Sequence, residues 1–126
     1  MRNPVRAPTM ESGFVPRFSL PHHLGRIMEF LVEITTTVPE GTDPAEVDRR
    51  RAAEAVRARE LAATGHLIRL WRPVGELRSI GVWSAADEKR LHTDVLDTLP
   101  LHPWMSLIIT ALEPHPNDPG PAGAPA

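Results

Sequence analysis

Polar and apolar residues alternate along "MEFLVEITTTV", residues 28–38. Phe30, Val32, Ile34 and Val38 share one side, while Glu29, Leu31, Glu33 and Thr35 share the other, which is the period-two pattern of a strand. "PEGTDP" breaks that pattern. Asp43 as N-cap, Pro44 at the first helical position and Glu46 in the first turn then predict a helix, with Gly65 as its stop. "HLIRLWRPVG" and "ELRSIGVWSA" predict two strands that meet near residues 73–76. Ser84 and Asp87 predict the start of a second helix, "AADEKRLHTDVLDTL", which Pro100 ends. "MSLIITALE" predicts a last strand. The order β-α-β-β-α-β is an α+β fold of the ferredoxin-like arrangement.

Two helices cover one face of such a sheet. Yet Leu31, Ile80, Val82, Ile108 and Leu112 put apolar side chains on the other face as well. At ~25 cal/mol per Å² of apolar surface, a wet second face is a serious loss for a small domain. The pattern therefore predicts face-to-face dimers of the α+β barrel type, or larger homo-oligomeric rings.

The 126 residues suit one domain, and the ends differ from the middle. Residues 1–27 carry four prolines and four arginines without a sustained apolar run, and read as a flexible extension. Met28 opens the first regular pattern and is a candidate start of translation. Residues 115–126 belong to a proline-rich stretch that cannot bury a core and read as a disordered tail, leaving 28–114 as the folded unit. The net charge of −2 offers no excess to attract nucleic acid, and no apolar run is long enough to cross a bilayer. Without cysteine there is no thiolate chemistry or disulfide, which fits a cytoplasmic setting. The six histidines show no zinc-binding spacing, so no metal is expected.

The first helix holds the most informative detail. At 100° per residue, Val47, Ala55, Ala58, Leu61 and Ala62 form one stripe, and Arg51 and Glu54 fall inside it. Arg49, Glu60, Arg57 and Asp48 lie elsewhere on the helix, where solvated charges belong. Two opposite charges aimed at a sheet are tolerable if they form an i,i+3 salt bridge or line a wet pocket. Burial would raise the carboxyl pKa and the arginine would lower it. His92 falls in the apolar arc of Leu91, Val95, Leu96 and Leu99, where a packed, hydrogen-bonded histidine is the simpler reading. In "RLWR", Arg69 and Trp71 share one strand face and Leu70 and Arg72 the other. Arginine beside tryptophan can form a carboxylate-binding wall or a plain surface strand. "TLPLHPWM" makes a stiff corner with His102 and Trp104 before the last strand.

These pieces together resemble the muconolactone Δ-isomerase family of the catechol branch of the 3-oxoadipate pathway. The resemblance rests on "MEFLVEITTTVPEGTDPAEV", on "LWRPVG" after a glycine-ended helix, and on "LH…LPLHPWM" before the last strand. It implies a cofactor-free isomerase assembled from dimers into a decamer, which moves a proton within an unsaturated lactone to give 3-oxoadipate enol-lactone. It also implies Glu54 as acid/base, Arg51 (where the family has lysine) as anchor or oxyanion partner, and His92 as pocket wall or secondary proton donor. Trp71 and Arg72, with Arg69, would shape and charge the pocket. His102 and Trp104 would stand at a subunit boundary or at the pocket rim, His102 replacing an expected phenylalanine. Two other readings stay open: a diverged isomerase or cyclase for another small acidic lactone, and a non-catalytic oligomeric module that binds a small acid.

Overall fold

Phe30, Val32 and Ile34 of β1 (Met28–Thr36) are buried, so the alternation in this strand decides which side of the sheet is covered. The computed structural model describes residues 27–120, and the expectations for residues 1–26 and 121–126 lie outside the described residues. After β1 come α1 (Pro44–Ala63), β2 (Leu67–Trp71), β3 (Ser79–Ala85) and a second helical segment. That segment begins as α2 (Glu88–Arg90), continues as a π turn (Leu91–Val95) and ends as a 3-10 turn (Leu96–Thr98). A further 3-10 turn (His102–Trp104) leads into β4 (Met105–Leu112). The strands lie in the order β2-β3-β1-β4, with every neighbouring pair antiparallel. This is the α+β, β-α-β-β-α-β arrangement that the pattern predicts.

Local chemistry explains the boundaries of α1. The Asp43 carboxylate accepts the Ala45 N–H at 3.1 Å, and Pro44 occupies the first turn, where its missing donor costs nothing. At the other end Gly65 has φ +87°, a left-handed conformation that lets the His66 N–H return to the Leu61 carbonyl. Ser84 does not open the second helix as the sequence suggests. It remains in β3, where its hydroxyl donates to the Gly65 carbonyl at 2.7 Å, and Asp87 alone caps, accepting the Arg90 N–H.

The second helical segment and the residue that follows it supply most of the buried side chains of the helix layer. Leu91, Val95, Leu96 and Leu99 are all buried and join Phe30, Val32, Ile34 and Trp83 in the core. The extra residue in the π turn rotates His92 off that stripe, leaving it half-buried with Nε2 3.7 Å from the Glu88 carboxylate. α1 is held differently. Leu61 is its one buried residue, and Ala55 and Ala62 of the predicted stripe are exposed. On the opposite face of the sheet, Leu31, Ile80 and Val82 are half-buried while Ile108 and Leu112 are exposed.

Leu61→Ala should therefore lower stability by about 2–5 kcal/mol in urea titration, the range for a buried leucine. Val56→Ala, on the exposed side of the same helix, should change it by no more than about 0.5 kcal/mol.

Candidate active site

The backbone of residues 98–105 belongs neither to the helix before it nor fully to the strand after it. Leu99 is extended (φ −74°, ψ 129°), and Pro100 has no N–H to give. The buried polar groups of such a corner need partners, and α1 supplies them from one face. Leu101 N–H donates to Glu54 Oε1 at 2.9 Å. Arg50 donates from Nη1 to the Pro100 carbonyl at 3.0 Å and lies 4.7 Å over the Trp104 ring. Arg57, expected in solvent, is half-buried and donates from Nε to Thr98 Oγ1 at 3.0 Å. Residues 50, 54 and 57 are spaced four and three apart, so they form a single ridge. Arg50 and Arg57, which lie beside the predicted stripe, are thus drawn into polar contacts with the corner.

Beside this ridge, α1 stands off the sheet and leaves a cavity of about 570 Å³. Its roof is Arg51, Glu54, Ala55 and Ala58 from α1. Its floor includes Ile34, Ser79 and Trp83, with Leu70 and Arg72 from β2 and its end. Alanines above and serine below are too small to fill the gap between the layers, which is why the hollow exists. It holds one carboxylate and two guanidinium groups, and Glu54 and Arg51 form no salt bridge with each other. Burial raises the Glu54 pKa above the usual carboxylate value; the Leu101 N–H and the positive charge of His102 oppose this without cancelling it. With one oxygen committed to Leu101, the carboxyl is held still beside the cavity, as a proton-transfer group requires.

The predicted site residues therefore divide. Glu54, Arg51 and Arg72 share the cavity. Arg69 and Trp71 point to the opposite face of the sheet, where the guanidinium lies 4.8 Å over the indole. His102 turns to Asp97, with Nε2 3.1 Å from Oδ1, and Trp104 lies under Arg50; neither lines the cavity. His92 pairs with Glu88 outside it. Trp83 and the Leu101 N–H were missed by sequence reasoning. Period-two alternation from Ser79 through Gly81 would have put Trp83 on the cavity side, whereas nothing local marks Leu101 as a donor. A second hollow of about 430 Å³ lies near His66, but its Arg90 and Asp94 pair with each other at 3.3 Å. No group of three His, Cys, Asp or Glu able to hold a metal occurs among the described residues.

A family model for muconolactone delta-isomerase matches residues 28–118. The muconolactone Delta-isomerase of Cupriavidus pinatubonensis is 32% identical over 90 residues, covering 71% of this chain and 97% of that protein. The enzyme of the same name from Pseudomonas aeruginosa is 33% identical over 90 residues, covering 71% and 93%. A crystal structure of muconolactone isomerase superposes with a TM-score of 0.68 at 32% identity, covering 75% of this chain and 97% of that one.

The raised Glu54 pKa has a consequence for stability. The folded chain holds this proton more tightly than the unfolded chain does. Stability is therefore lost as pH rises from the ordinary carboxylate range through the raised value, and the penalty is complete above it. Glu54→Gln keeps an oxygen for Leu101 and removes the penalty, so its melting temperature should gain on the parent's as pH rises from 4 to 8, about the range spanned by carboxyl titration. Glu54→Leu leaves the Leu101 N–H without an acceptor and should cost about 1–3 kcal/mol.

Proposed function

The chain belongs to the muconolactone Δ-isomerase family, and we propose that Glu54, Arg51 and Arg72 carry its reaction in the cavity under α1. The reaction is the transposition of the ring double bond of muconolactone to give 3-oxoadipate enol-lactone. A base removes the proton at C4, charge spreads through the ring onto the lactone's carbonyl oxygen, and a proton returns at C2. Bonds and electrons balance within one molecule, so no oxidant or reductant is consumed.

One observation carries this assignment: a single hollow joins a carboxyl of raised pKa to two fixed positive charges. Glu54 takes the C4 proton with the oxygen not engaged by Leu101 and returns it at C2. A raised pKa suits both halves of that task, because the carboxylate is a stronger base and its conjugate acid still a competent donor. The two arginines divide the remaining work. One pairs with the carboxymethyl group and the other stabilises the enolate-like oxygen, where charge develops in the transition state. Arginine at position 51 offers a planar two-pronged contact that suits a carboxylate. Arg69 and Trp71, on the far face of the sheet, take no part in this site, and His102 stands outside the cavity.

The assembly follows from that far face. Leu31, Ile80, Val82, Ile108 and Leu112 lie on this face of β1, β3 and β4, interleaved with Glu29, Glu33 and Thr110, and a second copy of the chain laid against it would remove the apolar groups from water. No helix among the described residues is long and apolar enough to cross a membrane, and we assign the protein to the cytoplasm.

Purified protein should convert muconolactone without added metal or coenzyme. Glu54→Gln should lower kcat by about 10²–10⁴-fold with the fold intact. For the parent, kcat/KM should decline on the acid side, with its midpoint above the ordinary carboxylate range, since Glu54 must be ionised to accept the proton. Unchanged turnover in Glu54→Gln would remove it as the base. Separately, Ile108→Lys places a charge in the middle of the far face. Sedimentation velocity should then show the assembly shifted to monomer with its circular dichroism preserved.

A further inference from the structure

We infer that Trp83, seated by Gly81, fixes the depth of the cavity and thereby the size of lactone that it accepts; the inference rests on the lactone reading above. Trp83 is 2% exposed and lines the hollow that contains Glu54, Arg51 and Arg72. It is also the largest of the fully buried side chains, so it is the widest unyielding surface on the floor.

Its seat is unusual. A Cβ at position 81 would lie 2.7 Å from Trp83 Nε1, 2.9 Å from Leu70 Cδ1 and 3.1 Å from the Arg69 carbonyl. The first two are closer than a side-chain carbon adopts, and the third asks the carbonyl for only a small shift. Since Gly81 has no positive φ, glycine is required there by space and not by backbone conformation. Two of the three obstacles, Trp83 and Leu70, are cavity residues, and the third, the Arg69 carbonyl, is the least severe. A side chain at 81 would therefore push the indole and the leucine into the space a ligand occupies.

The indole is held by shape alone. Its Nε1–H is buried without a hydrogen-bond partner, which makes tryptophan a costly choice where a hydrocarbon ring would leave no donor unpaired. What tryptophan adds is breadth. A lactone fixed at its carboxylate and its reacting carbons has one free edge to turn toward the floor, and a close-packed floor does not deform to admit more. A substituent on that edge meets the Trp83 ring. The pair Gly81–Trp83 thus selects an unsubstituted lactone acid over its ring-alkylated homologues.

Calorimetric binding of two saturated, unreactive lactone acids, one plain and one bearing a ring methyl, tests this in the full-length protein. The parent should prefer the plain acid by about 10-fold or more, the range set by one carbon in a close-fitting pocket. Trp83→Leu should erase most of that preference. Trp83→Phe should reduce it in part, and replaces the leucine variant if thermal melting shows that one unfolded. Gly81→Ala should weaken binding of the plain acid by about 10-fold, and adding Trp83→Leu to it should restore the affinity, because leucine ends short of the Nε1 position. An unchanged preference in both Trp83 variants overturns the inference while leaving the lactone reading intact. So does a Gly81→Ala defect that Trp83→Leu fails to relieve. If neither acid binds the parent, the lactone reading itself fails, and this inference with it.

Discussion

Leu101 N–H lies between a helical segment that has ended and a strand that has not begun, and its acceptor is a side chain, Glu54, at 2.9 Å. This bond ties the corner to α1 and fixes one oxygen of the carboxyl beside the cavity. Arg50 and Arg57 extend the tie to the Pro100 carbonyl and to Thr98. The corner and the roof of the site are therefore positioned by each other. A carboxyl that folding needs as an acceptor is also the one we propose as the proton carrier, and burial in that setting raises its basicity. On that proposal glutamine separates the two roles, because it preserves the acceptor and cannot take up a proton.

The cavity exists because the layers are unequally filled. The second helical segment packs Leu91, Val95, Leu96 and Leu99 against the sheet, while α1 brings alanines and charged groups over Ser79. One half of the helix layer thus closes the core and the other half holds a hollow. The charges that would be penalised in a packed interior are acceptable there, since Arg51 and Glu54 face open space and need not pair with each other. Trp83 belongs to both halves: it is buried in the core and forms part of the hollow's floor.

What could be read from the sequence was whatever depends on local period and local capping. The alternation of β1, the Asp43–Pro44 start of α1, its stop at Gly65 and the buried arc of the second helix all follow from neighbours in the chain. The presence of Arg51 and Glu54 on a pocket-facing side was legible for the same reason. The failures are tertiary. Arg57 looked solvated, because nothing in the first helix announces that a corner 41 residues later will need a donor. His92 looked inward until a π turn rotated it away. Trp71 and Arg69 resembled pocket walls by composition, but the strand's two faces lead to different surroundings, and theirs is the face away from the site. The corner itself was recognised as stiff, whereas its function as a hydrogen-bond client of α1 depends on a pairing that no local pattern encodes.

The two walls of the hollow are held by different forces. α1 is fastened to the corner through guanidinium and carboxylate groups that meet neutral partners, the Pro100 carbonyl, the Thr98 hydroxyl and the Leu101 N–H, and such short contacts are little screened by salt. The sheet beneath is fastened by hydrocarbon contacts, which strongly hydrated anions such as sulfate strengthen. Sulfate is thus a means of tightening the floor while the roof stays as it is.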